Sequence, residues 1–96
     1  MILTDELCDK LCTAALEKSR ELGVDVSFAV CDEHGLPRVY RRFGEALVLS
    51  ITLVAGGYPL FYQRKIAGGI GVGGGTEEED CAIAEHVVSV FEKLTE

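Results

Sequence analysis

Hydrophobic and polar positions follow a helical period at both ends of the 96-residue chain. Near the amino end, residues 4–23 place apolar side chains three or four positions apart, which is the spacing of a helix with one buried face. Thr4 is suited to cap this helix and Gly23 to end it. Near the carboxyl end, the same period follows a Thr-x-x-Glu capping box at Thr76 and Glu79. The pattern therefore predicts one helix at each end.

Between the two helices, short runs rich in β-branched and aromatic residues predict two hairpins. The first is predicted over 24–32 and 36–43, and the second over 58–63 and 66–72 around Arg64 and Lys65. Pro37 favours a sheet-edge position, because proline has no amide to donate to a neighbouring strand. Gly68, Gly69 and Gly71 indicate that a helix or a second chain approaches closely.

The apolar stretch 44–57 has no clean period. It is too short to span a bilayer and fits a buried helix or a central strand, of which we favour the helix. Because neighbouring strands follow one another without crossover helices, the whole order predicts an α+β fold. We expect one domain over residues 1–96, with an antiparallel sheet and flanking helices.

Composition limits the partners. The net charge of -7 and pI near 4.7 argue against nucleic acid and anionic membranes, which select basic surfaces. The amino end lacks the pattern of a signal peptide, so we expect a cytoplasmic protein with reduced cysteines. A chain this short buries a small core, so we expect a homo-oligomer, either a dimer or an assembly of dimers.

A glycine turn, Gly73–Gly75, opens directly onto the second helix and resembles a phosphate cradle. Four acids follow it, the lysine of a P-loop is absent, and the capping box is expected to use the free helix amides. We therefore interpret the turn as structural and expect no nucleotide to bind there. Among the acids, Glu78 and Asp80 are the candidate metal ligands, although a solvated helix start explains them more simply.

Two longer stretches carry a family resemblance. Residues 25–46 and 56–88 resemble the GlcG/HbpS/PduO C-terminal family of heme- or cobamide-associated domains. The matching positions are Val30, Cys31, Asp32, Gly35, Arg42, Gly56, Gly57, Pro59, Gly69, Ile70, Gly71, Val72, Gly74, Gly75 and Asp80. The resemblance implies a mixed α+β fold of the profilin or roadblock kind. It also implies a longer middle, with two more helices and a strand, where this chain runs directly from SITLVA into GGYPL.

The resemblance implies two functions. Some relatives bind heme through a histidine of the first helix, which this chain lacks. Cys8, Cys12 and His86 are therefore the candidate cofactor ligands, and a buried cysteine or a half-buried histidine is the simpler explanation of each. No serine has a neighbouring base, so we predict no catalytic residue. We expect a non-enzymatic accessory or assembly domain linked to glycolate, glycerol or diol catabolism; the alternative is a heme- or corrinoid-binding protein.

Overall fold

A computed structural model describes residues 2–46 and 57–96 of the chain. The elements run in the order α1 (Asp5–Leu22), β1 (Ser27–Asp32), β2 (Pro37–Arg42), β3 (Tyr58–Tyr62), β4 (Lys65–Gly73) and α2 (Glu77–Leu94). The strands form one antiparallel sheet in the order β2-β1-β4-β3. The predicted α+β fold is confirmed. The helix favoured within 44–57 falls mainly on residues 47–56, outside the described residues.

Both helices are capped as the sequence predicts. The Thr4 hydroxyl accepts a hydrogen bond from the Leu7 amide at 3.2 Å, and Gly23 ends α1 with a φ of 70°. At the start of α2, the Thr76 hydroxyl and the Glu79 carboxylate exchange bonds with each other's backbone amides. The helix ends therefore follow from local side-chain chemistry.

The core lies between the two helices and one face of the sheet. Phe28 and Val30 of β1 are fully buried beside Ile70 and Val72 of β4. Helix α1 packs on β1 and β2, and α2 packs on β3 and β4. Because side chains alternate along a strand, the residues between these buried positions lie on the opposite side of the sheet, which we call the outer face. On the central strands, it carries Ser27, Ala29, Cys31, Gly69, Gly71 and Gly73.

Gly68 has a close neighbour, as predicted, but this neighbour is strand β1 with the segment before α1, and not a helix or a second chain. A β-carbon at this position would lie 2.2 Å from the Cys31 carbonyl oxygen and 2.6 Å from a methyl group of Leu3. Any side chain would therefore collide with β1 and with the segment before α1. Gly69 is less crowded, because its nearest contact would be the Tyr58 carbonyl oxygen at 3.4 Å.

The second hairpin turns one residue earlier than the sequence predicts. Tyr62 pairs with Lys65, so the turn residues are Gln63 and Arg64, and both have positive φ values, 50° and 67°. A two-residue hairpin turn of this kind matches the twist of the strands. The predicted centre at Arg64 and Lys65 is wrong, since neither turn residue is the glycine or asparagine that usually marks such a turn.

A β-bulge displaces one residue of the first hairpin toward α1. Val30 pairs with Val39 while Cys31 pairs with Pro37, which leaves Arg38 as the extra residue of β2. Bulges redirect a side chain in this way. Strand β2 lies at the edge of the sheet, as Pro37 predicts.

Candidate functional site

The backbone amides of the glycine turn are bonded to the protein's own oxygens. Gly75 donates to the Asp80 carboxylate at 3.0 Å, and Thr76 donates to the Glu79 carboxylate at 2.9 Å. The amides of Glu79 and Asp80 are in turn bonded to the Thr76 hydroxyl and carbonyl oxygens. Gly74 supports the tight turn with a φ of 113°. A phosphate would have to displace carboxylates from these donors, which is consistent with a structural turn.

Asp80 is a buried carboxylate, and the sequence did not identify it as one. Only 1% of its surface is exposed. Burial raises the pKa of this carboxyl, the Gly75 amide opposes the shift, and the charge of Glu79 adds to it. Glu78 is exposed two residues earlier, and residues two apart on a helix do not share a face. The two candidate metal ligands are therefore separated, one in the core and one in solvent.

Cys8 and Cys12, the cofactor candidates of α1, are both core side chains. They are 2% and 7% exposed, and all four cysteines of the chain are free thiols. Burial raises the pKa of each of the two, while Arg38 beside Cys8 and Arg41 beside Cys12 only partly oppose the shift. A thiol with a raised pKa stays protonated at neutral pH, whereas iron takes a thiolate. The pair does not fit a heme ligand in this state.

Arg38 links β2 to the start of α1, a contact that sequence patterns do not predict. One terminal nitrogen of its guanidinium donates to Asp5 at 2.7 Å. Its Nε atom is buried without a hydrogen-bond partner among the described residues. The bulge explains how an edge-strand arginine reaches the helix.

His86, the third cofactor candidate, is half-buried on α2. Its position leaves part of the imidazole accessible, unlike the two thiols of α1. The other histidine, His34, lies in the first hairpin turn with 74% of its side chain exposed and Glu33 beside it at 3.6 Å. The structure therefore separates the two histidines between an ordered helix and a solvated turn.

On β3, Tyr58 contacts α2, and the sequence gave no signal for this contact. A hydrogen bond with the Cys81 thiol raises the pKa of the Tyr58 hydroxyl, and burial and the nearby charge of Glu85 add to the shift. The contact joins β3 to the first half of α2. It places a thiol, a phenol and a carboxylate on one side of that helix.

One small pocket among the described residues lies at the ends of the two helices. Its volume is about 230 Å³, and it lies between the start of α1 and the end of α2, lined by Ile2, Thr4, Glu6, Leu7, Lys10, Leu94 and Thr95. Pockets for drug-sized ligands usually measure about 300–1,000 Å³. Across residues 2–46 and 57–96, no three His, Cys, Asp or Glu side chains are grouped as a metal site, and neither helix is apolar enough along its length to cross a bilayer.

The family resemblance is supported by similarity to known proteins. Residues 49–89 match the family model described as haem degrading protein HbpS-like. A double mutant of Streptomyces reticuli HbpS has a similar solved structure, with 25% identity, a TM-score of 0.80, and coverage of 92% of this chain and 86% of that one. The chain is GlcG/HbpS/PduO-like. The matched segment of this family contains β3, β4 and most of α2, and so includes the glycine turn and His86.

Other relatives show the same fold. Klebsiella pneumoniae protein ORFY superposes with a TM-score of 0.85 and 21% identity over 94% of this chain and 90% of that one. A structure of a PduOC:heme complex has a TM-score of 0.84 and 22% identity, over 93% and 94% of the two chains. At these identities the likeness concerns the fold alone.

One relative is a protein without an assigned role. It is described as an uncharacterized 15.0 kDa protein in the dhaT-dhaS intergenic region of Citrobacter freundii, and it is 39% identical over 44 residues. The aligned stretch covers 46% of this chain and 31% of that relative. The shorter middle expected from the resemblance concerns residues 47–56, which lie outside the described residues.

Proposed function

We propose that this chain is a heme-binding accessory protein of the GlcG/HbpS/PduO-like family that binds heme without degrading it. The observation that carries the proposal is the match of residues 49–89 to the HbpS-like family model. The solved PduOC:heme complex with the same fold supports it. These comparisons favour heme over the assembly role that the missing first-helix histidine suggested.

His86 is the residue that we propose as the iron ligand. It lies within the matched segment, and its imidazole is partly accessible, whereas Cys8 and Cys12 are buried, protonated thiols. Imidazole is an ordinary axial ligand of heme iron. The porphyrin would bind beside α2, the helix that carries His86.

Binding without degradation is the finer part of the proposal, and it concerns the residues around the iron. Heme reactivity toward oxygen depends on a distal pocket that controls access and supplies hydrogen-bond donors. Of the candidate ligands among the described residues, His86 is the half-buried side chain on α2 through which this chain would hold the iron. The protein's part is therefore to hold the iron and one face of the porphyrin.

Titration with hemin tests this function. We expect the wild type to shift the Soret band with one heme per chain, and His86→Ala to weaken binding by about tenfold or more. His34→Ala is the matched control, because it removes the other histidine from an exposed turn, and Cys12→Ser tests the thiol. An unchanged Soret band in the wild type would exclude heme binding, and full affinity in His86→Ala would exclude His86.

Two further measurements distinguish the alternatives. Bound heme incubated in air with ascorbate is expected to keep its Soret band, and its loss with formation of bile pigment would indicate degradation. A parallel titration with a corrinoid tests the cobamide alternative. The link to glycolate, glycerol or diol catabolism stays a prediction, on which the position of the Citrobacter freundii relative between dhaT and dhaS bears.

A further inference from the structure

Strand β2 is an edge strand whose outward backbone groups are not bonded to another strand. The sheet order leaves one side of β2 without a neighbouring strand among the described residues. Just beyond the β1–β2 ladder, the Phe43 amide donates to the Val26 carbonyl at 2.9 Å. In an antiparallel pair, only every second residue is bonded to the partner strand. Tyr40 and Arg42 therefore direct their N–H and C=O groups away from β1, toward the free edge.

Positive charge is concentrated on this strand. Three of the nine lysine and arginine residues of the chain lie within its six positions. Arg38 is bonded to Asp5 at 2.7 Å. Arg41 has no carboxylate within 4.0 Å among the described residues, and Arg42 approaches Glu45 only at 4.0 Å. The charges of Arg41 and Arg42 are therefore available to a partner.

These two arginines lie on opposite faces of the edge. Successive side chains of a strand point to opposite faces of the sheet. Arg42 pairs with Ser27 and points to the outer face, whereas Arg41 pairs with Phe28 and points to the face that carries the helices. Both arginines are exposed. A strand added beside β2 would meet one guanidinium on each face, so its complement is two consecutive acidic residues.

The same charges disfavour a second copy of β2 as the added strand, because like charges opposite one another on neighbouring strands are destabilising. The acidic runs Asp5–Glu6 and Glu77–Asp80 of this chain belong to helices, and residues 47–56 contain no acidic residue. The net charge of -7 does not prevent an acidic partner, because charges are screened over about 8 Å at physiological ionic strength. These observations favour a segment of another protein.

We propose that β2 binds an extended acidic segment of another protein as an added antiparallel strand. Two consecutive acidic residues of the segment lie opposite Arg42 and Arg41, and two β-branched residues follow opposite Tyr40 and Val39. Main-chain bonds to Tyr40 and Arg42 supply affinity, and the alternating side chains supply specificity. Because α2 packs on β3 and β4, at the other side of the sheet order from β2, this contact does not depend on heme.

Fluorescence polarisation without heme tests this surface, with the fluorescein-labelled peptide Ser-Glu-Glu-Val-Thr-Val-Ser as the probe. We expect saturable binding that weakens as the salt concentration rises. Combined Arg41→Glu and Arg42→Glu should raise the dissociation constant by about tenfold or more, and this variant should instead prefer a peptide with lysines in place of both glutamates. Combined Arg64→Glu and Lys65→Glu is the matched control, because it makes the same charge change on the exposed second hairpin. Circular dichroism melts confirm that each variant is folded.

N-methylated peptides test the strand geometry on the wild-type protein, so this result does not depend on the folding of a variant. Methylation removes an amide donor. On the first glutamate or the first valine, whose amides face Arg42 and Tyr40, it should raise the dissociation constant by about tenfold or more. On the second glutamate, whose amide points to solvent, it should have little effect. Equal effects at all three positions, no binding of the unmodified peptide, or equally tight binding of single-stranded DNA overturns the proposal.

Discussion

The carboxylate of Asp80 determines what the glycine turn can bind. It is buried, and it accepts the Gly75 amide that an anion would otherwise use. The same side chain thereby closes the turn and gives the turn its own negative group. Because this carboxyl is buried, its ionisation is unfavourable, and the pH of the solution determines how much of it is ionised.

The buried carboxylate predicts an unusual pH dependence for one variant. Because burial raises the folded-state pKa of Asp80, its contribution to stability is full below the unfolded value of about 4 and is lost as the pH rises through the folded value. Asp80→Asn keeps an acceptor for Gly75 without the charge. We expect its melting temperature, relative to the wild type, to increase from pH 4 to pH 7.

Asp80→Ala is the control for that experiment. It leaves the Gly75 amide unpaired, which should lower the free energy of unfolding by about 1–3 kcal/mol at every pH. Thermal melts across the pH range distinguish the two variants. A constant difference between Asp80→Asn and the wild type would show that the carboxyl is not desolvated.

Sequence patterns predicted part of this local chemistry. The tight conformation of Gly74 and the capping box follow from residue types at fixed spacing. The burial of Asp80 was also readable, because it lies four and seven residues before Ala84 and Val87 on the buried stripe of α2. We grouped it with the exposed acids because the run of charges outweighed its phase.

At the scale of elements, the capping box makes α2 a helix with a defined start. Both bonds of the box are present, at 2.9 and 3.2 Å between Thr76 and Glu79. The bounds of the two helices follow from such end signals. The position of the second hairpin turn could not be predicted in this way, because Gln63 and Arg64 adopt positive φ values that neither residue type signals.

We expect Thr76→Ala to lower the free energy of unfolding by about 1 kcal/mol, because the Glu79 amide loses its acceptor. Glu79→Gln should have a smaller effect, since its amide oxygen can still accept from Thr76 while the charge at the helix start is lost. Chemical denaturation of the two variants beside the wild type measures both. Equal losses, or none in Thr76→Ala, would mean that the cap bond does not stabilise α2.

At the scale of the whole molecule, the α+β class and the order of the elements were predictable, and the contacts between distant elements were not. Arg38 reaches Asp5 through a bulge, and Tyr58 reaches Cys81 across the sheet edge. Such contacts depend on strand order and register, and the local periods of a single sequence do not contain them. The ligand chemistry of Cys8 was uncertain for the same reason, because its burial depends on packing.

The described protein also divides into two units in which the helix and the hairpin follow one another in opposite orders. One is α1 with the β1–β2 hairpin, and the other is the β3–β4 hairpin with α2. The β1–β4 ladder and the contact between the helices join the two units. Each unit alone exposes the apolar face that the other covers.

This division predicts fragment complementation. A chain cut between residues 50 and 51 interrupts no described strand pair. Because each peptide alone exposes its apolar face, we expect the two peptides to be disordered in isolation and to fold upon mixing. Recovery of the far-ultraviolet circular dichroism of the intact chain at a 1:1 ratio measures the association. Gly68→Ala in the second peptide should prevent it, because the new methyl group would collide with the Cys31 carbonyl of the first. The paired strands β1 and β4 would then serve as a split-protein interface that forms only when residue 68 is glycine.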